Sequence, residues 1–122
     1  MVLVDTSVWI GFLTGRASYG RALDELLAAG DVSGHELVFG ELLIGDKGGR
    51  RQFLADYALL HHAPSLSHSD IVAFVRHRKL HGRGIGWVDA QLLASAVVGR
   101  LSLWTVDPRL AAVAREVGVA HG

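Results

Sequence analysis

Four carboxylates, far apart in the chain, stand where acids are unusual: Asp5, Glu41, Asp89 and Asp107. Asp5 ends the apolar run Val2-Leu3-Val4. Glu41 shares helical spacing with Leu37 and Ile44. Asp89 opens the apolar run Leu92-Leu93-Ala94, and Asp107 follows Leu101-Ser102-Leu103-Trp104-Thr105. Acids so placed need water, a partner or a metal ion. Brought together, they would raise some of one another's pKa values unless a divalent cation neutralised them. That is the chemistry of Mg²⁺-assisted phosphodiester hydrolysis.

Each acid also has a plainer use. Asp5 could start a turn or cap a helix. Glu41 could be a solvent-edge or satisfied buried acid. Asp89 could favour the positive end of its helix. Asp107 before Pro108 has the form of a helix start. These four explanations are independent of one another, whereas one metal site accounts for all four positions.

The elements that must carry these residues alternate between strand and helix. Val2 to Asp5 reads as a strand. Thr6 or Ser7 caps a helix bearing Val8, Trp9, Ile10, Phe12 and Leu13, which Gly15 stops. Leu23, Leu26 and Leu27 form a helical stripe ended by Gly30. A short segment at Asp31 to Ser33 precedes a helix over His35 to Ile44, and Lys47-Gly48-Gly49 reads as a turn. Further helices are expected over Arg51 to Leu60, from Ser67 or Ser69 to Leu80, and over Asp89 to Arg100. Short strands are expected at His61 to Pro64, Leu101 to Thr105 and Val117 to Ala120. Asp107 and Pro108 start the last helix. This order implies an α/β fold, a mostly parallel sheet between helical layers. The site then lies beyond the carboxyl ends of the strands, where Asp5 and Asp107 already fall.

Composition sets the bounds. The chain has 122 residues, half of them hydrophobic, and its 12 basic and 12 acidic residues balance. That suits a single domain over 1–122 with a real core and argues against disorder. Neutrality argues against an indiscriminate nucleic-acid binder but leaves room for a local basic patch. The absence of cysteine excludes disulfides and thiolate metal sites and fits a reducing cytoplasm. The N-terminal residues do not read as a signal peptide, and no apolar run has the length of a membrane helix.

Four motifs carry a family resemblance: Asp5-Thr6-Ser7-Val8-Trp9-Ile10, Glu41-Leu42-Leu43-Ile44-Gly45, Gly84-Ile85-Gly86-Trp87-Val88-Asp89-Ala90-Gln91-Leu92-Leu93-Ala94-Ser95-Ala96, and Leu103-Trp104-Thr105-Val106-Asp107. In this order and at these intervals the chain resembles PIN-domain ribonucleases, and among them the VapC-type toxins of type II toxin–antitoxin pairs. The resemblance implies a PIN-like three-layer α/β/α sandwich. Asp5, Glu41, Asp89 and Asp107 would be the catalytic acids holding Mg²⁺ or Mn²⁺, with Thr6, Ser7 and Thr105 in support. It also implies an RNA substrate, a cytoplasmic homodimer and a VapB-type antitoxin partner forming a hetero-oligomer. Hydrolysis would leave a 5′-phosphate and a 3′-hydroxyl. One departure concerns the fourth motif. Family members often carry another acid and then Phe after the last carboxylate, whereas Pro108, Arg109 and Leu110 stand here.

The basic stretch Arg76-His77-Arg78-Lys79, with His81 and Arg83, is either a solvated helix face or a phosphate-guiding rim to which Arg50 and Arg51 contribute. The close histidine sets are His61/His62 and His77/His81, and the i, i+4 pair His77/His81 lacks the Glu of a metalloprotease helix. Trp9, Trp87 and Trp104 lie beside core runs and are expected to pack. The alternative function is a catalytically silent PIN-like RNA-binding or interaction module. A phospho-accepting receiver domain needs a second acid beside Asp5, and Thr6 stands there instead. A flap-type DNA nuclease needs more chain.

Overall fold

The computed structural model describes residues 1–15 and 17–122. The elements run β1 (Val2–Val4), α1 (Thr6–Leu13), α2 (Gly20–Ala28), β2 (Val32–Gly34), α3 (Glu36–Ile44), α4 (Arg51–Ala58), β3 (His61–His62), α5 (His68–Arg78), α6 (Trp87–Gly99), β4 (Ser102–Trp104) and α7 (Pro108–Glu116). The sheet order is β3-β2-β1-β4, and every pairing is parallel. Parallel strands need crossovers, and helices supply them.

β1 is the central strand because all three of its residues are apolar and buried, as a strand covered on both faces requires. Its register aligns Leu3 with Ser33 on one side and with Leu103 on the other. The expected terminal strand over Val117 to Ala120 contracts to a single bridge between Leu103 and Ala120. Gly118, with φ +81°, turns the chain just before it.

The core fills the two helical layers. Leu3, Val8, Leu23, Leu92, Leu93, Leu103 and Leu110 are fully buried, each contributing about 1.5–3 kcal/mol by leaving water. Trp9 packs edge-on against Phe12, Phe53 and Tyr57 with ring centroids 5.5–6.1 Å apart. α6 is buried from Leu92 through Ala96, which explains why its sequence is apolar all round. It begins at Trp87, two residues before the expected start, because Gly86 supplies the extended N-cap backbone and its N–H donates to Asp89 Oδ2.

β2 and β4 lie on opposite sides of β1, so the chain order reverses at the β1–β4 boundary. Crevices at such switch points lie outside the carboxyl ends of the strands. Asp5 follows β1 there, and Thr105 to Asp107 follow β4.

Candidate active site

Asp5 sits on the sheet's extension: its N–H donates to the Trp104 carbonyl at 2.8 Å, continuing the β1–β4 ladder one step. Its carbonyl accepts from Val8 and Trp9, which makes Asp5 the N-cap of α1 by backbone. The expectation that Thr6 or Ser7 caps this helix is therefore corrected. The reason lies in the side chains. The Ser7 hydroxyl donates to Asp5 Oδ2 at 2.6 Å, and the Thr105 hydroxyl donates to the same oxygen at 2.9 Å. These bonds turn the carboxylate away from capping and hold it in place although Asp5 is buried. Thr105 Oγ1 also accepts from the Asp107 N–H at 3.1 Å, so one hydroxyl ties two of the acids.

Asp107 does what its place before proline suggests: its Oδ1 accepts from Arg109 N–H at 2.9 Å and caps α7. Capping uses one oxygen and leaves the other for the site. Glu41 projects from the exposed side of α3, the side shared with the 90% exposed Ile44, while Val38 and Leu42 face the core. The Thr6 hydroxyl donates to Glu41 Oε1 at 2.6 Å, linking the first motif to the second.

Asp89 reports the convergence. Burial pushes its carboxyl above the usual range, and the Gly86 N–H pulls it partly back. The negative charges of Asp5, Asp107 and Glu41 then push it up again, in that order. Four segments of the chain thus aim acids at one region, and among the described residues none of the four forms an ion pair. The donors are hard oxygens, the kind Mg²⁺ and Mn²⁺ take. No three of the described acids form a close group able to grip an ion by protein atoms alone. The set fits an ion that keeps several of its own waters, as Mg²⁺ does.

Behind the acids lies a buried polar network that sequence reasoning missed. His35 caps α3, its Nδ1 accepting from Leu37 N–H at 3.1 Å. Nδ1 is thus the unprotonated nitrogen, and Nε2–H faces Ser95 Oγ at 2.9 Å. The Tyr57 hydroxyl accepts from His35 N–H at 3.0 Å. Burial lowers the His35 pKa; nearby Glu36 opposes this and His62 reinforces it. Burial raises Tyr57 to about 12. The helix bearing Glu41 is therefore joined to the helix bearing Asp89 through His35 and Ser95. Ser95 inside an apolar helical run was the available signal.

The basic stretch divides. Arg76 and Arg78 occupy the last turn of α5, and Lys79 is its left-handed C-cap; all three are exposed, without a hydrogen bond or ion pair to the four acids. Arg83 donates to both Glu116 carboxylate oxygens, at 2.8 and 2.6 Å, so its charge is offset away from the acids. Arg109 lies against the loop before α6. A side chain at Gly84, already at φ +78°, would come within 2.9 Å of the Arg109 chain. Two tryptophans pack as expected, but Trp87 is 45% exposed beside His68.

The four-stranded parallel sheet, the acids beyond its carboxyl edge and their hydroxyl supports define a class. The chain belongs to the PIN-domain family, whose model matches residues 2–116. It is 46% identical to ribonuclease VapC32 of Mycobacterium tuberculosis over 121 residues, 98% of this chain and 95% of that protein. The match is the same for strains CDC 1551 / Oshkosh and ATCC 25618 / H37Rv. No helix among the described residues is long and apolar enough to cross a membrane.

Proposed function

We propose that this chain is a Mg²⁺- or Mn²⁺-dependent endoribonuclease, the toxin of a type II toxin–antitoxin pair. The observation that carries the reading is the convergence on Asp89 of three further carboxylates with no cation paired to them. An RNA-binding surface has no use for such a cluster, which repels phosphate. The near full-length likeness to a protein named as a ribonuclease supports the same reading.

Asp5, Glu41, Asp89 and Asp107 are the residues that would hold the ion. When bound, Mg²⁺ or Mn²⁺ supplies charge neutralisation at the phosphate and a more acidic water. The protein's own part is positioning. Ser7 and Thr105 fix Asp5, Thr105 places Asp107 through its backbone, and Thr6 steadies Glu41. No side-chain nucleophile is required.

The partners in this reading are RNA, a VapB-type antitoxin and a second copy of the chain. For the dimer, α1 offers little apolar surface: Val8 is fully buried, Phe12 and Leu13 are partly buried, and Ile10 is 49% exposed. Leu43 and Ile44 on α3 add exposed apolar surface. The test is cleavage of RNA by purified protein in EDTA, then with Mg²⁺, Mn²⁺ and Ca²⁺ in turn. Cleavage is expected with Mg²⁺ and Mn²⁺, and not with Ca²⁺, whose longer bonds misplace the attacking water. Undiminished cleavage in EDTA, or none with any ion, contradicts the proposal.

A further inference from the structure

We infer that the cavity opening off the Glu41 side of the acidic cluster is a subsite for the phosphodiester backbone of single-stranded RNA, with Lys47 and Arg50 as its phosphate-binding groups. This rests on the ribonuclease reading above. The cavity has a volume of about 370 Å³, and Ile10, Thr14, Glu41, Leu42, Lys47 and Arg50 line it. Its size falls in the lower part of the range for small-ligand pockets, roughly 300–1,000 Å³.

Three observations converge. First, Glu41 lines the cavity and also accepts from the Thr6 hydroxyl at 2.6 Å, so one side chain borders both the cavity and the residue next to Asp5. Second, the charges alternate in the useful sense. A polyanion approaching four acids is repelled, and cations must flank the cluster to bring it in. Lys47 and Arg50 have no ion-pair partner among the described residues, whereas Arg83 is taken up by Glu116. Third, the turn that presents them is built. Gly48 N–H donates to Asp46 Oδ1 at 2.9 Å, and Gly48 and Gly49 take φ values of +116° and +89°, which only glycine adopts freely. Arg50 then stands at the N-cap position of α4, so the turn and the helix start bring both cations to the cavity lining. A guanidinium can grip a phosphate through two N–H groups, and an ammonium serves as a point charge. Ile10, half exposed, offers an apolar face for the sugar or base.

The experiment measures steady-state cleavage of a short unstructured RNA with Mg²⁺ across a range of KCl concentrations. Wild type is compared with Lys47→Gln, Arg50→Gln and the double variant. A backbone subsite used equally in ground and transition states changes KM and leaves kcat alone. The double variant is expected to raise KM about tenfold or more with kcat within about twofold. The log–log salt slope of kcat/KM should become shallower by about 1.4, from ~0.7 for each phosphate of a single strand that the protein no longer neutralises. Calorimetric Mn²⁺ affinity should stay at the wild-type value, since all four acids remain. Lys47 is exposed, so its single substitution keeps the test readable if the double variant folds poorly. Wild-type KM and salt slope in the variants overturn the subsite. Wild-type protein that cleaves no RNA with any ion overturns it too, together with the reading beneath it, and that outcome is distinct because wild type itself is silent.

Discussion

The acids at the strand ends and the acids on the helices are held in different ways. Asp5 and Asp107 follow β1 and β4, and a small set of direct bonds fixes them: Ser7 and Thr105 on Asp5, Thr105 and Arg109 backbone on Asp107. Glu41 and Asp89 ride on α3 and α6, and their relative placement depends on how those helices sit. His35 and Ser95 provide that link from inside the core. The strand half is therefore set by hydroxyls and backbone groups on the acids themselves; in the helix half Thr6 holds Glu41 and the Gly86 N–H holds Asp89, but helix packing and the buried His35–Ser95 bond set the two relative to each other. Metal sites depend on both kinds of support, because outer partners orient the ligands.

Breaking the strand half at its centre should have the largest effect. Asp5→Asn is expected to lower RNA cleavage by about a thousandfold, the scale of losing a principal charge-stabilising group. Its metal-free melting temperature should not fall. Asparagine still accepts from Ser7 and Thr105, and a like charge beside Asp89 is gone. Full activity in that variant sinks the mechanism.

Breaking the helix half at its link should show first as instability. His35→Ala removes the cap of α3 and leaves Ser95 and the Leu37 N–H short of partners, so a loss of about 2–4 kcal/mol is expected in urea denaturation. His35→Asn, which can still cap, should recover ~1 kcal/mol of it. If His35→Ala unfolds at the wild-type midpoint, the link carries no weight.

Thr105→Val tests the strand half more gently, by removing one hydroxyl at constant shape. Cleavage should drop about tenfold, the lower end for a lost outer partner of a metal ligand, with little change in stability. An unaltered rate argues that Ser7 alone holds Asp5.

The link also carries a pH signature. The His35 pKa is lowered in the fold, so as pH falls below the ordinary histidine value of about 6.5 the unfolded chain takes up a proton that the native state refuses. Stability from this group is complete above that pH and declines below it. Urea midpoints measured downward from neutrality should fall less steeply in His35→Asn than in wild type; identical slopes contradict the assignment. The smallest effect belongs to Arg83→Ala. With that guanidinium already held by Glu116 on the surface, KM for RNA should move by less than about twofold.

The legibility of the two halves in the sequence follows the same division. Asp5 and Asp107 could be placed from the chain alone, because a strand ends at each and parallel α/β sheets put their sites there. The ordered motifs singled out the four acids and the three hydroxyl residues that hydrogen-bond to Asp5 and Glu41. The rest depended on tertiary neighbours. Nothing local shows that Ser7 reaches back to Asp5 and leaves the capping position to it, or that His35 meets Ser95 across sixty residues of chain. Arg83 reads as part of a basic run because Glu116, its partner, lies thirty-three residues away. The last strand is shorter than expected for a simpler reason: Gly118, at φ +81°, turns the chain just before it and leaves one bridge at Ala120.

The central claim is that both halves act together on one divalent ion, and Mn²⁺ titration by calorimetry tests it most directly. Wild type, Asp5→Asn and Asp89→Asn are compared at neutral pH. One saturable site in wild type, weakened about tenfold or more by either substitution, is the expected result. Mn²⁺ binding that is equally tight in both variants would place the ion elsewhere and contradict the account.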